Sequence, residues 1–173
     1  MNNACLNILT TRRSTKSYHE TPVPKEMLEQ VLAAGINAPT GMNRQSPVMV
    51  VVTKPETVRA ISDLLARVRG ITTDPFYGAP CVIVVFADSN VFTYQEDGSL
   101  VIGNLLNAAA ALELGACWIH GAKQVFATEE GKQLKEKWGL DDSYVGIGHC
   151  ILGYAKEIAP AKEHKADYVI YDV

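Results

Sequence analysis

Residues 99–115 read SLVIGNLLNAAAALELG, seventeen positions whose only charge is Glu113. Wound as a helix, this stretch is apolar on nearly every face, and a helix tolerates that only where protein surrounds it. The stretch is therefore read as a central helix placed at a subunit interface. The rest of the chain has to supply the elements that cover it.

Upstream, PCVIVVFAD (80–88) and SPVMVVVTK (46–54) are short, β-branched apolar runs bounded by turn residues, which predicts buried strands. Both fall far short of the roughly 20 apolar residues that a membrane span requires. Between them PETVRAISDLLARVRG (55–70) predicts a helix opened by Pro55 and closed by Gly70. PKEMLEQVLAAGI (24–36) predicts another, with Pro24 at its first turn and Met27, Leu28, Val31 and Leu32 at helical spacing. Residues 3–11 predict a short helix, and the stretch from 89 to Gly98 reads as a looser connection.

Downstream, ACWIHG (116–121) predicts a strand, EEGKQLKEKWG (129–139) an exposed helix and YVGIGHCILGY (144–154) a buried strand. ADYVIYDV (166–173) predicts a last strand, and Trp138 and Tyr144 are read as packing residues. Phe76, Tyr77, Phe92 and Tyr94 lie in the least regular segments, where they either stack on a planar ligand or pin the loops. With no repeat, low-complexity tract or linker, residues 1–173 are read as a single domain.

The net charge of −3 gives no electrostatic footprint for nucleic acid. The N-terminus has no basic segment ahead of an apolar core, which predicts a cytoplasmic protein without a membrane anchor. Cys5, Cys81, Cys117 and Cys150 are far apart and form no C-x-x-C pair, so they are read as free thiols, the last three buried. His19, His120, His149 and His164 are equally dispersed, and no metal site is expected. A doubly wound nucleotide fold would carry G-x-G-x-x-G after an early strand. That fingerprint is missing, and GIGHCILG (146–153) reads as close packing between strand backbones.

Against this acidic background TTRRSTKSYHE (10–20) concentrates Arg12, Arg13, Ser14, Thr15 and Lys16. Guanidinium forks, hydroxyls and an ammonium are the set that holds a phosphate dianion, and equally they suit the C-terminal end of a helix. NAPTGMNRQSP (37–47) supplies Asn43 and Gln45, carboxamides that donate and accept, in what is otherwise a helix-to-strand loop. The residues alone leave both choices open.

Four blocks, RRSTKSY, APTGMNRQSP, CWIHGA and ILGY with AKEHK behind it, stand in the order found in the nitroreductase family of flavin enzymes, and the resemblance spans nearly the whole chain. It implies an α+β fold with a central mixed, mostly antiparallel sheet flanked by helices, and a long buried central helix at a homodimer interface. It implies FMN as cofactor, with Arg12, Ser14 and Lys16 at its phosphate and polar edge and Arg13 sharing the role. Pro39, Thr40 and Gly41 match the segment that covers the flavin of the partner subunit, with Asn43 and Gln45 as its polar pair. Ile119, His120 and Gly121 match the strand end whose amides approach N5 and O4 of the isoalloxazine. Lys162 and His164 fall where the family has K-x-R. An imidazole cannot reproduce a bidentate guanidinium, so this departure shifts weight onto Arg12, Arg13 and Lys165.

The implied activity is reduction of nitroaromatic or quinone-type acceptors, small and planar, by NAD(P)H in a ping-pong cycle. The alternatives are a flavin-binding module that stores or senses FMN without turnover, and a family branch with a specialised substrate. His120 is the one side chain offered as a proton donor, by position and because imidazole titrates near neutrality. No other catalytic side chain is expected, since the flavin carries the chemistry.

Overall fold

The computed structural model describes residues 3–164 and 168–172. The elements run α1 (Ala4–Thr11), α2 (Lys25–Ile36), a 3-10 turn (Gly41–Asn43), β1 (Pro47–Val52), α3 (Pro55–Arg69), β2 (Cys81–Asp88), α4 (Tyr94–Ala111), β3 (Gly115–Ile119), α5 (Ala122–Val125), α6 (Glu129–Lys137) and β4 (Tyr144–Gly153). The strands form one sheet in the order β1-β2-β4-β3, with every ladder antiparallel. Among the described residues the parallel pairing is the isolated bridge between Ser14 and Ala116.

Side chains alternate across a strand, so β2 builds two cores at once. Val82, Val84 and Phe86 face Ile61, Leu64 and Leu65 of α3, Val125 of α5 and Phe126, with Trp138 and Tyr144 packed against them. Cys81, Ile83 and Val85 face the opposite way, onto Leu28 and Val31 of α2 and Val101, Ile102, Leu105 and Ala109 of α4. Seven of the eight β2 residues are buried, which is why its sequence is a continuous apolar run and not an alternating one. Cys81, Cys117 and Cys150 are buried free thiols, as the spacing suggested, and Cys5 is exposed.

Helix α3 begins on Pro55 and ends on Gly70, whose φ of 64° is the left-handed conformation that closes a helix. Helix α4 begins at Tyr94, about a turn earlier than the apolar run predicts. Glu96 and Asp97 occupy its first turn, where negative charge meets the unpaired N–H groups. Its inner face is buried, whereas Leu100 and Ala111 are exposed in the single chain.

The predicted strand over 166–173 is corrected. Residues 168–172 form no strand, and Tyr168, Val169, Ile170 and Tyr171 are exposed. A strand needs an edge that accepts its backbone groups, and residues 168–172 pair with none among the described residues. The remainder of that stretch, and Lys165, lie outside the described residues. No described helix is long and apolar enough to cross a membrane.

Candidate cofactor site

Helix α1 ends at Arg12, whose N–H reaches Ile8 O at 2.9 Å before the chain turns extended. Ser14 then bridges to Ala116, and Thr15 N donates to Ala116 O at 3.0 Å, so the basic segment lies along the outer edge of β3. Gly115 permits that approach: a Cβ there would sit 2.6 Å from Thr15 Oγ1. The buried Tyr18 hydroxyl donates to Thr15 O at 2.9 Å and fastens the turn from below.

A second extended segment runs antiparallel to this one. His19 N donates to Tyr154 O at 2.9 Å, Lys156 N to Ser17 O at 3.0 Å, and Arg13 Nε to Pro160 O at 3.2 Å. Lys162 and His164 follow Pro160, both exposed, with the His164 ring edge-on to Tyr168. The two cationic segments are thereby tied side by side through Arg13, across 147 residues of sequence.

The two arginines differ in use. Arg13 also donates from Nη1 to Thr10 O at 3.2 Å and Arg12 O at 2.9 Å, so its guanidinium braces backbone carbonyls. Arg12 Nη1 is buried with no hydrogen-bond partner among the described residues. A charged donor left so is expensive unless an anion completes it. Ser14 and Lys16 stand exposed on the same segment. This donor set fits a phosphate, the group that the resemblance places here.

At the far end of β3, Ile119 is buried and the His120 side chain is exposed. Ile119 O lies 3.2 Å from Nδ1 of the fully buried His149 on β4. A carbonyl only accepts, so Nδ1 carries the proton. Burial pushes the His149 pKa down to about 4, which keeps the ring neutral. Phe76 and Phe126 flank it at centroid distances of 5.3 and 6.0 Å. His120 O accepts from Arg69 Nη2 at 2.7 Å. Gly121 has φ 101°, and a Cβ there would lie 2.7 Å from Leu65 Cδ1.

The loop over 39–45 is held separately, beside the start of β1 and of α4. Met42, Asn43 and Gln45 all have positive φ (52°, 53° and 51°), a concentration of strain that surrounding bonds must offset. Asp97, buried at the start of α4, accepts from Gly41 N at 2.8 Å, Ser46 Oγ at 3.0 Å and Thr93 Oγ1 at 3.1 Å. Gln45 N donates to Thr40 Oγ1 at 3.1 Å and Gln45 Nε2 to Asn43 Oδ1 at 3.1 Å. The carboxamide pair therefore engages itself, and Pro39 stands exposed next to it.

One chain thus gathers Arg12, Arg13, Ser14 and Lys16 with β3, residues 120–121 behind it and the segment leading to Lys162 and His164. No hydrogen bond among the described residues joins the 39–45 loop to residues 12–16. Of the aromatic residues in irregular segments, Phe76 is core and Phe92 is almost wholly exposed. Asp97, His149 and Arg69 escaped sequence reasoning. Asp97 fell in the stretch read as a looser connection, and nothing local marked the other two.

A two-faced antiparallel sheet with helices on both sides defines an α+β protein, and the cationic segment along its β3 edge carries a buried guanidinium donor with no partner among the described residues, which fits an anionic group. The family model described as Nitroreductase family matches residues 9–154. A protein of Archaeoglobus fulgidus, named as a candidate NADH dehydrogenase/NAD(P)H nitroreductase, is 30% identical over 159 residues, covering 88% of this chain and 86% of that one. A Desulfitobacterium hafniense nitroreductase crystallised with bound FMN superposes with a TM-score of 0.88 at 25% identity, covering 99% of each chain. A Bacteroides fragilis nitroreductase, also with bound FMN, gives 0.88 at 22% identity over 98% of this chain and 99% of that one. The chain belongs to the nitroreductase family.

Proposed function

We propose that the protein is an FMN-dependent oxidoreductase that takes reducing equivalents from NAD(P)H and passes them to a small planar acceptor of nitroaromatic or quinone type, in a ping-pong cycle. The observation that carries this reading is the buried Nη1 of Arg12 beside the β3 edge, which has no partner among the described residues. The FMN-bound relatives of the same fold, and a Bacillus subtilis relative named FMN reductase [NAD(P)H] that is 36% identical over 75 residues, 43% of this chain, support it.

FMN, when bound, supplies the hydride chemistry, and the protein supplies grip, orientation and proton traffic. Arg12 gives the phosphate a charge-assisted donor, Ser14 and Lys16 extend the cradle, and Lys162 and His164 close it from the second segment. Arg13 keeps those two segments in register. Backbone N–H groups at His120 and Gly121 serve the isoalloxazine edge, and the exposed His120 imidazole holds or moves a proton there.

The reading includes a homodimer in which the 39–45 loop of one subunit covers the site of the other. Helix α1 buries none of its residues, and Leu6, Leu9, Ile36, Met42 and Leu100 are exposed in the single chain. Surfaces of that kind belong to obligate interfaces, which commonly bury more than about 2,000 Å².

The test is a visible spectrum of the purified protein, followed by NAD(P)H oxidation with menadione or a nitrofuran. Flavin absorption with acceptor-dependent turnover is expected. Colourless protein that takes up no added FMN would sink the reading, and retained flavin without turnover would favour the storage or sensor role.

A further inference from the structure

We propose that His149 and Arg69 are positioning residues, two side chains that pin successive carbonyls, Ile119 O and His120 O, and thereby aim the N–H groups of His120 and Gly121 at the flavin edge. This rests on the reading that FMN lies against the end of β3.

The need arises from where the ladder stops. Pairing between β3 and β4 ends at Ile119 with His149, so the next two peptide groups have no strand partner to orient them. Turn geometry alone leaves such groups free to rotate. In a trans peptide the N–H of one residue points opposite to the carbonyl of the residue before it. Fixing Ile119 O toward β4 therefore turns His120 N–H outward, and fixing His120 O toward α3 turns Gly121 N–H away from α3. Neither N–H has a hydrogen-bond partner among the described residues.

Both pins are built for the task. An apolar side chain at position 149 would fill the same space with no polar atom to bury. The imidazole leaves its Nε2 buried with no partner among the described residues, so what it adds over an apolar residue is the Nδ1–H bond to Ile119 O. Phe76 and Phe126 hold the ring in place. Arg69 comes from the last turn of α3, and its bond to His120 O is short at 2.7 Å. Its guanidinium also lies along Gly121, with Nε 3.8 Å and Nη2 3.9 Å from where a Cβ would be. The left-handed φ of 101° there is open to glycine and strained for other residues.

Donors fixed in advance at the place where charge develops stabilise the charged form without reorganisation. Of the two acceptors on that edge, N5 would take up its own hydrogen on reduction whereas O4 would gain electron density, so aligned amides favour reduced over oxidised FMN through O4, and loosening either pin should weaken that preference. Arg69→Met keeps the stem and removes the donor. His149→Phe keeps an aromatic ring between Phe76 and Phe126, and His149→Val tests the same loss if the larger ring does not pack. His149→Asn, whose carboxamide N–H stands near the Nδ1 position, and Arg69→Lys are the conservative rescues.

The measurement is the midpoint potential of protein-bound FMN by dye equilibration, with the 15N5 resonance of labelled FMN as a second readout and urea melting of each FMN-free variant as the control. Arg69→Met and His149→Phe are expected to lose about tenfold in preference for the reduced form, a potential about 30 mV more negative for a two-electron couple. The rescues should return toward wild type. Folded Arg69→Met and His149→Phe or His149→Val with the wild-type potential and N5 resonance would overturn the proposal while leaving the flavin reading intact. Wild type that takes up no FMN would overturn both.

Discussion

Replacing Arg12 with methionine is expected to move stability and cofactor affinity in opposite directions. In the FMN-free protein Arg12 Nη1 is buried with no partner among the described residues, so the native state carries a desolvated charged donor. Leaving such a group unpaired costs about 1–3 kcal/mol. Methionine keeps an unbranched stem of similar reach and removes the donor, and the N–H of residue 12, which bonds Ile8 O, is untouched. FMN-free Arg12→Met should therefore gain about 1–2 kcal/mol, which is about 2–8 °C in Tm for a chain of this size. The bound state loses a charge-assisted bond of about 1.5–3 kcal/mol, about ten- to a hundredfold in Kd. Urea or thermal melting of the FMN-free protein, paired with titration of flavin fluorescence, gives both numbers from one preparation. A variant that melts lower and binds FMN as tightly as wild type would refute the assignment of Arg12 as the phosphate donor and make it a structural residue.

Asp97→Asn should destabilise the protein by about 1–3 kcal/mol in urea melts and loosen the 39–45 loop, because Gly41 N uses one carboxylate oxygen and the Ser46 and Thr93 hydroxyls use the other, and the NH2 that replaces one of those oxygens cannot accept. Burial depresses the His149 pKa from 6.5 to about 4 in the folded state, so the unfolded chain binds the proton first. Its contribution to stability is complete above about pH 6.5 and is lost on acidification toward pH 4, with a slope of up to about 1.4 kcal/mol per pH unit. His149→Phe should flatten the stability profile in that window, and an unchanged slope would show that other groups set it. His164→Arg should tighten FMN binding about tenfold if residue 164 reaches the phosphate, since it supplies a fork in place of a ring; equal titration curves would place His164 outside the site. Sedimentation at low micromolar concentration should show a dimer, and a stable flavin-loaded monomer would contradict the shared site.

The sheet and its covering helices were legible because their signals are local. VMVVV and VIVVF both read as strands, although only VIVVF is fully buried and VMVVV, on the sheet edge, is half-buried with Val51 exposed, and Pro55 and Gly70 mark helix ends by backbone conformation alone. The cationic segment stood out in the same way, since Arg12, Arg13 and Lys16 are adjacent whatever the fold. Tertiary structure decided what each group meets. It spent Arg13 on Pro160 O and left Arg12 open, a difference that two neighbouring arginines cannot declare in sequence. Asp97 finds Gly41, and Arg69 finds His120, across about fifty residues of chain, and no periodicity encodes a partner at that distance. The stretch 166–173 alternates well enough to predict a strand, yet residues 168–172 form none, because a strand is made by the edge that receives it. Local patterning thus determined which segments are buried, helical or extended, since those preferences act within a few residues. Which donor stays unpaired, which carbonyl is pinned and which edge is filled depends on groups brought together only when the chain closes on itself.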